Sequence, residues 1–172
     1  LILVNQTNVD CFENSSGSAT MNGAGGTTGY TYLWSNGGSG STQTSLPAGT
    51  YTATVTDGNL CTSSETVTIT QPAAISLLAT STNVTCNGDN DGTATGFGSG
   101  GGGSFSYAWS NGMFGQTISN LSPGTYTVTA TDANNCTQTE STSITQPNAI
   151  NLTTTSTNIV CNGDNNGTAT VF

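Results

Sequence analysis

The sequence predicts an all-β protein built from small antiparallel sandwich or barrel domains joined in tandem. One observation is an internal repeat of 75 residues, in which "GTYTATVTDGNLCTSSETVTITQP" returns as "GTYTVTATDANNCTQTESTSITQP". Another is the alternation of Thr with apolar residues, which is the period-2 pattern of half-buried strands. Turn signals such as "NGDNDG", "GSGGGGS" and "LSPG" separate these segments. Many short strands between Gly-rich turns are typical of this fold class.

The register of the repeat holds along the whole chain. A spacing of 75 residues separates the equivalent residues Cys11, Cys86 and Cys161, Cys61 and Cys136, Trp34 and Trp109, Tyr51 and Tyr126, and Pro72 and Pro147. We therefore predict one domain over residues 1–72, a second over 73–147, and the first strands of an incomplete third over 148–172. A period this long exceeds that of solenoid repeats and suits domains that each have a core.

Six strands are readable in the second repeat. In chain order they are "AISLLAT", "GTATGF", "FSYAWS", "GQTISNL", "TYTVTATD" and "CTQTESTSIT". In the fifth strand, Tyr126, Val128 and Ala130 alternate with Thr and are expected to face inward. The predicted core aromatic residues come from the third and fifth strands of both repeats: Tyr32, Trp34, Tyr51, Tyr107, Trp109 and Tyr126.

The aromatic residues of the third strand admit a second interpretation. Tyr30, Tyr32 and Trp34 alternate along one face of their strand, and the second repeat has the same pattern. An exposed stripe of this kind is a platform for sugar rings, but buried aromatics on a central strand are commoner. We therefore expect core packing and keep a carbohydrate platform as the alternative.

The net charge of the chain excludes some classes of binding partner. Nine Asp and Glu residues and no Lys, Arg or His give a formal net charge of −9. Phosphate binding relies on Lys and Arg, so nucleic acid is excluded as a partner, and an anionic membrane surface would repel the chain. No stretch is apolar for long enough to cross a membrane as a helix. Leu1 to Val4 lack the basic residues of a signal peptide, and no Met begins the chain, so we expect a segment of a longer protein.

The same composition argues against an enzyme and against a required cofactor. No His is available as a general base and no Lys as an amine nucleophile. Asp89 and Asp91 resemble the start of a calcium loop, because alternate carboxylates can face one hard cation. The first repeat lacks these carboxylates and no Glu closes the loop, so an ordinary turn is expected, with calcium as the minor alternative. Asp57 and Asp132 are expected to accept backbone N–H bonds in the turn before the last strand.

The combined motifs resemble the SprB repeat of large surface adhesins from gliding Bacteroidetes. They are Cys-x5-Gly, Tyr-x-Trp-Ser-Asn-Gly, Leu-x-x-Gly-Thr-Tyr and Asp-x-x-x-Cys, as in "CNGDNDG", "YAWSNG", "LSPGTY" and "DANNC". The strand "GTYTVTATD" is also similar to that of PKD-type and other immunoglobulin-like domains. The resemblance covers the whole chain. It implies tandem immunoglobulin-like sandwiches in long filaments, exported by the type IX secretion system and used for gliding or attachment.

Two cysteines per repeat predict disulfides and an oxidising compartment, and the lack of His and of Cys-x-x-Cys disfavours zinc. The favoured pairing closes each domain, as Cys11–Cys61 and Cys86–Cys136, and leaves Cys161 for a partner outside the chain. The other pairing joins neighbours, as Cys61–Cys86 and Cys136–Cys161. In a simple up-and-down strand order the two cysteine turns of a domain lie at the same end. In a seven-strand immunoglobulin order they lie at opposite ends, and a bond within the domain would need an irregular first strand.

We therefore expect a structural or adhesive repeat segment of a long extracellular filament at the cell surface, with its domains arranged as a rod. The expected partners are other repeats of the same chain or neighbouring filament subunits, with surface polysaccharide as a further candidate. Two alternatives stay open at this stage, namely a carbohydrate-binding module and a self-assembling fibre or sheath subunit.

Overall fold

The computed structural model describes residues 2–172, and every regular element within them is a β-strand. The first repeat contains β1 (Ile2–Thr7), β2 (Gly17–Asn22), β3 (Thr31–Trp34), β4 (Thr42–Leu46), β5 (Gly49–Thr56) and β6 (Thr62–Ile69). The second contains β7 (Ala73–Thr82), β8 (Gly92–Gly101), β9 (Ser106–Trp109), β10 (Thr117–Leu121), β11 (Gly124–Thr131) and β12 (Thr137–Ile144). The third contributes β13 (Thr154–Thr157) and β14 (Thr168–Val171). All six strands read from the sequence of the second repeat are present.

Each complete repeat is a pair of three-stranded antiparallel sheets. In the first repeat the strand orders are β1-β2-β4 and β3-β5-β6, and in the second they are β7-β8-β10 and β9-β11-β12. The first two strands and the last two form hairpins, whereas the chain changes sheet at each connection between them. This is the strand order of an immunoglobulin-like sandwich with six strands. The all-β, immunoglobulin-like fold predicted from the sequence is confirmed.

A buried tryptophan lies at the centre of each sandwich. Trp34 ends β3 and is 2% exposed, and its indole N–H donates to the carbonyl of Gly40 at 2.9 Å. Trp109 ends β9 and is 4% exposed, with the same bond to Gly115 at 3.0 Å. The indole N–H therefore keeps a hydrogen-bond partner after burial, which removes the main cost of placing tryptophan in a core.

Apolar residues of both sheets pack around each tryptophan. The first core contains Val9, Ala19, Met21, Leu46, Ala53, Val67 and Ile69, and the second contains Val84, Ala94, Ile118, Leu121, Val128 and Ile144. The alternating Thr residues of β5 and β11 lie on the opposite face and are exposed or half-buried. Alternation along the strands therefore decides which side chains leave water.

The four core tyrosines are half-buried and use their hydroxyls to fix backbone. Tyr51 and Tyr126, near the start of the fifth strand, donate to the carbonyls of Pro47 and Ser122, each at 2.9 Å. This contact is the tyrosine corner of immunoglobulin-like sandwiches. The hydroxyl of Tyr32 accepts the backbone N–H of Gly23, just after the second strand of the first repeat, at 2.8 Å. The hydroxyl of Tyr107 accepts the N–H of Gly98, within the second strand of the second repeat, at 3.1 Å.

The third repeat contains one hairpin without a second sheet among residues 2–172. β13 pairs with β14 over four residue pairs, from Thr154 with Val171 to Thr157 with Thr168. Every residue of both strands is exposed. The two strands expected for residues 148–172 are therefore present, but no core covers them in this part of the chain.

Candidate functional site: the junction between the repeats

Two connections in each repeat carry the cysteines. The opening loop joins the first two strands and covers residues 8–16, 83–91 and 158–167 in the three repeats, and the closing turn joins the fifth and sixth strands at residues 57–61 and 132–136. Opening loops contain Cys11, Cys86 and Cys161, and closing turns end on Cys61 and Cys136.

A single aspartate organises each closing turn. The Asp57 carboxylate accepts hydrogen bonds from three backbone N–H groups, those of Thr27, Asn59 and Cys61, at 3.0, 2.9 and 2.9 Å. Asp132 is buried and accepts the same set from Gly102, Asn134 and Cys136, at 2.6, 2.9 and 2.9 Å. The turn role expected for the two aspartates is confirmed.

These hydrogen bonds favour the ionised carboxylates. The backbone N–H of Thr27 is the largest influence on Asp57, and that of Gly102 is the largest on Asp132. Both lower the pKa of the aspartate below its usual value, and the opposing effect of desolvation is smaller. The aspartates are therefore charged at neutral pH, and backbone N–H groups stabilise the negative charge of each turn.

The opening loops share one side-chain bond although the residue that makes it changes. Ser16, Asp91 and Asn166 occupy equivalent positions, and each accepts the backbone N–H of the residue six positions earlier, at 3.0, 3.0 and 3.2 Å. Asp91 also accepts the hydroxyl of Thr85 at 2.6 Å, which is the main cause of its lowered pKa. Three different oxygen-bearing side chains thus do the same turn-forming work.

Asp89 and Asp91, the candidate calcium ligands, lie in the second opening loop, where Asp91 stabilises the turn. Asp91 holds Thr85, and the Asp89 carboxylate is 3.4 Å from the same hydroxyl. Among residues 2–172, no group of three or more His, Cys, Asp or Glu side chains lies in a position to hold a metal ion. Calcium binding at Asp89 and Asp91 stays a prediction without further structural support.

Two glutamines fasten the opening loop to the connection that follows its repeat. The side-chain oxygen of Gln71 accepts the backbone N–H of Glu13 at 2.9 Å, and that of Gln146 accepts the N–H of Gly88 at 3.0 Å. Sequence reasoning missed this role. The available signal was the repeated "TQP", whose glutamine recurs in register with the cysteines.

The opening loop and the closing turn lie at opposite ends of one sandwich. Val9, in the opening loop, donates its backbone N–H to Thr70 just beyond the end of β6, at 2.9 Å. The closing turn instead precedes the start of β6. The eight residues of β6 separate the two ends by about 26 Å. Cys11 and Cys61 of the same repeat are therefore too far apart to bond.

The disulfide joins the two repeats. Cys11, in the first opening loop, is bonded to Cys136, in the second closing turn, with an S–S distance of 1.99 Å and Cα atoms 5.7 Å apart. Both pairings predicted from the sequence are therefore wrong. The pairing Cys11–Cys61 would have to span one sandwich. The pairing Cys61–Cys86 joins the closing turn of the first repeat to the opening loop of the second, whereas the observed bond joins the opening loop of the first to the closing turn of the second. Cys61, Cys86 and Cys161 are free and exposed.

The short connection between the repeats explains this pairing. β6 ends beside the first opening loop, and only three residues, 70–72, separate its end from the start of β7. The first residue of β7, Ala73, pairs with Gly101, and the neighbouring Gly102 donates to Asp132 of the second closing turn. The connection therefore brings the opening loop of the first repeat to the closing turn of the second.

Further contacts surround the disulfide. The side-chain amide of Asn134 donates to the backbone carbonyl of Asp10 at 2.9 Å, across the junction. A cleft of about 520 Å³ lies beside the bond, and its walls include Phe12, the start of β7 and the start of β12. The disulfide and this hydrogen bond thus both cross the junction, and Lys and Arg are absent from the sequence on both sides.

The strand order, the buried tryptophan of the third strand and the tyrosine corner define an immunoglobulin-like structural repeat. More specifically, the model of the SprB repeat family matches residues 3–39 and 78–114. The two matched segments begin and end at equivalent positions of the 75-residue repeat. The resemblance to SprB repeats is therefore confirmed at two segments of the chain.

Other comparisons add little beyond this family. The structure of the amphioxus IgVJ-C2 molecule is similar with 16% sequence identity and a TM-score of 0.36, over 79% of this chain and 99% of that one. No curated protein matches the chain significantly. Among residues 2–172, no helix is long and apolar enough to cross a membrane.

Proposed function

We propose that this chain is a structural and adhesive segment of a long extracellular filament at the cell surface, where it supports attachment or gliding. The SprB repeats at two segments support the surface-adhesin class. The Cys11–Cys136 bond between successive repeats is the observation that supports a role for the segment in carrying tension. A disulfide of this kind also favours an oxidising location outside the cytoplasm.

The bond places most of the chain outside the path of a stretching force. Tension applied at the two ends passes from β1 to Cys11, across the disulfide to Cys136, and onward through β12. The segment between the two cysteines, which are 125 positions apart in the sequence, carries no load while the bond is intact. Trp34 and Trp109 lie within that closed loop, whereas Val9 and Ile144 of the two cores lie outside it. Tension can therefore pull β1 and β12 from the sandwiches, but it cannot extend the chain between the two cysteines.

Single-molecule stretching between the chain ends tests this force path. Reduction of the disulfide should lengthen the fully extended chain by roughly 430 Å, because 125 residues then extend at about 3.3–3.6 Å each. The Cys11→Ser, Cys136→Ser double variant should show the longer extension without reductant, and Cys86→Ser should behave as the parent chain. Equal extension of the oxidised and reduced chains would contradict the proposal.

A cellular experiment tests the location. Antibodies against the chain should label intact cells that produce it, and removal of the two repeats should reduce their attachment to glass or their movement over it. Labelling that appears only after the cells are permeabilised would contradict a surface role. A variant with Phe114→Ala, which changes an exposed side chain, is the matched control.

A self-assembling fibre subunit is a second candidate, in which a strand of a neighbouring chain, rather than further strands of the same repeat, covers the hairpin β13–β14. Ile150 is 95% exposed, and Leu152, Val160 and Phe172 are also exposed. A two-stranded hairpin alone is marginally stable in water. Chains of residues 1–147 and 1–172 should therefore differ in mass in solution, with only the longer one associating. A carbohydrate-binding module has less support, because Trp34 and Trp109 of the predicted platform are buried.

A further inference from the structure

The cleft beside the disulfide lies where the first opening loop, the start of β7 and the second closing turn meet. Its volume of about 520 Å³ is within the range of small-molecule sites, which often lie between domains. Cys11 and Cys136 form part of its wall, so the disulfide holds the two repeats together at this cleft. The lining residue Phe12 is 44% exposed, and the lining residues Asn135 and Gln138 are exposed as well. The cleft is therefore open to solvent.

Phe12 departs from the pattern of the opening loop. Asn87 and Asn162 occupy its position in the second and third repeats. The side-chain amide of Asn87 donates to the carbonyl of Pro147, in the connection after its repeat, at 3.0 Å. The side chain of Phe12 has no donor for the equivalent Pro72, and both residues line the cleft. An aromatic ring therefore lies at the junction in a position where the other opening loops have a polar side chain.

The closing turn and the start of β12 contribute two further residues that differ from their counterparts. Asn135 corresponds to Leu60 in the first repeat, and Gln138 corresponds to Ser63. Each brings a side-chain amide, which has both hydrogen-bond donors and an acceptor. The backbone φ is 64° at Asn135 and 67° at Leu60, so the turn keeps its shape although the side chain changes. The cleft thus combines an aromatic residue with two amides that the first closing turn and β6 lack at these positions.

The chemistry of the walls disfavours charged ligands and purely apolar ones. Lys, Arg and His are absent from the sequence and the Asp132 carboxylate lies in the wall, so an anion would meet only like charge. A cation is not required, because three backbone N–H groups already bond to Asp132. A purely apolar ligand would remove the two amides from water without replacing their hydrogen bonds. A neutral ligand with an apolar face and several hydroxyls meets all three conditions.

We propose that this cleft is a binding site for a neutral carbohydrate, namely a short segment of a polysaccharide chain. The apolar face of a sugar ring lies against Phe12, and the sugar hydroxyls bond to the amides of Asn135 and Gln138. Because the cleft is open to solvent, a segment within a long glycan can enter it. The site is different from the aromatic platform predicted from the sequence, whose tryptophans are buried.

The inference goes beyond the proposed function and does not rest on it. The force path depends on the Cys11–Cys136 bond, whether or not a sugar occupies the cleft beside it. A carbohydrate site at the junction would give an adhesive segment a ligand, and it would place that ligand next to the bond that carries the tension.

Titration of the ¹⁵N-labelled full chain with oligosaccharides, followed by NMR, tests the site. The neutral probes are hexamers of cellulose, amylose, xylan and mannan, and the charged probes are hexamers of chitosan and polygalacturonate. At least one neutral hexamer should shift the backbone amide resonances of Ala74, Asn135 and Gln138 until they saturate. Its affinity should be the same at low and at high salt, because an uncharged ligand is not subject to screening.

Three variants that copy residues of the other repeats should weaken this binding while they preserve the fold. Phe12→Asn should weaken it about tenfold or more, because the apolar contact of the ring is lost. Asn135→Leu and Gln138→Ser should each weaken it about two- to tenfold, because each removes one amide. Phe114→Asn changes an exposed phenylalanine outside the cleft and is the matched control, which should bind as the parent chain does.

Failure of every neutral hexamer to bind would overturn the proposal. Shifts confined to residues outside the cleft, binding of the charged hexamers alone, or an unchanged affinity of Phe12→Asn would do the same. None of these results bears on the stretching and surface-labelling experiments, so a failure of the carbohydrate site is distinguishable from a failure of the proposed function.

Discussion

The opening hairpins of the second and third repeats have nearly the same sequence but different surroundings. By opening hairpin we mean the first two strands with the opening loop, β7–β8 in the second repeat and β13–β14 in the third. Their shared segments, "TNVTCNGDNDGTAT" and "TNIVCNGDNNGTAT", differ at three positions. The comparison separates what the hairpin forms by itself from what the rest of a repeat adds.

The local hydrogen bonds are the same in both hairpins. The hydroxyls of facing threonines lie 2.7 Å apart in Thr82–Thr93 and 2.8 Å apart in Thr157–Thr168. The opening loop turns back on its cysteine in both, with N···O distances of 3.2 and 3.1 Å. Residues close in sequence therefore decide the shape of the hairpin.

Burial separates the two hairpins. Val84 is 4% exposed, whereas its counterpart Ile159 is 52% exposed. Ala94 is fully buried and Ala169 is exposed. In the second repeat the sheet that contains Trp109 covers these positions. A core is therefore a property of strands that are distant in sequence, and the hairpin alone cannot provide one.

Removal of Trp109 should have the largest effect, because it should abolish most of the difference in stability between the two opening hairpins. Trp109→Ala deletes the largest side chain of the second core and should destabilise that repeat by about 3–5 kcal/mol. Amide hydrogen exchange in β7 and β8 should then approach that of β13 and β14. Phe114→Ala, at an exposed position of the same repeat, should change stability by about 0.5 kcal/mol or less. Unchanged protection of β7 and β8 in the tryptophan variant would show that the second sheet is not what stabilises them.

Substitutions at equivalent positions of the two opening hairpins should differ in their effect on stability. Val84→Ala removes buried methyl groups and should cost about 2 kcal/mol of unfolding free energy. Ile159→Ala acts at the exposed counterpart and should cost about 0.5 kcal/mol or less. Chemical denaturation of both variants gives the two values. A large effect of Ile159→Ala would mean that the third hairpin is covered in solution, as in the self-assembly alternative.

The same division explains which features the sequence predicts. Strand positions follow from alternation within a few residues, and this pattern predicts all six strands of the second repeat. The same alternation predicts that Trp34 and Trp109 face the core. The disulfide partner of Cys11 depends instead on which ends of two sandwiches meet, and the 75-residue spacing is equally compatible with several pairings. Only the sheet order and the short connection at residues 70–72 decide it.

A smaller effect is expected where the second hairpin has a glutamine contact. Gln146→Ala leaves the backbone N–H of Gly88 without its side-chain acceptor and should cost about 1 kcal/mol. Hydrogen exchange at Gly88 should become faster, towards the rate of its counterpart Gly163. Gln116→Ala, on an exposed position of the same repeat, is the matched control. If the rate at Gly88 does not change, water replaces the glutamine without loss and the contact does not order the loop.

The smallest expected difference is a response to acid. The hydroxyl of Thr85, followed by its backbone N–H, lowers the pKa of Asp91, so the loop is stabilised while the carboxylate is ionised. For a lowered pKa, this stabilisation is present above the unfolded-state value of about 3.9 and is lost as the pH falls through the folded-state value. The third loop has Asn166 at this position and cannot titrate there.

Below about pH 4, the Thr85 amide resonance should therefore shift and exchange faster, and the Val160 amide should not respond to a titration at Asn166. Asp91→Asn should remove the acid response at Thr85 while it preserves the turn, because Asn166 accepts the same backbone N–H at 3.2 Å. NMR titration of the parent chain and this variant measures both amides in one spectrum. A Thr85 response that persists in Asp91→Asn would assign the titration to another group.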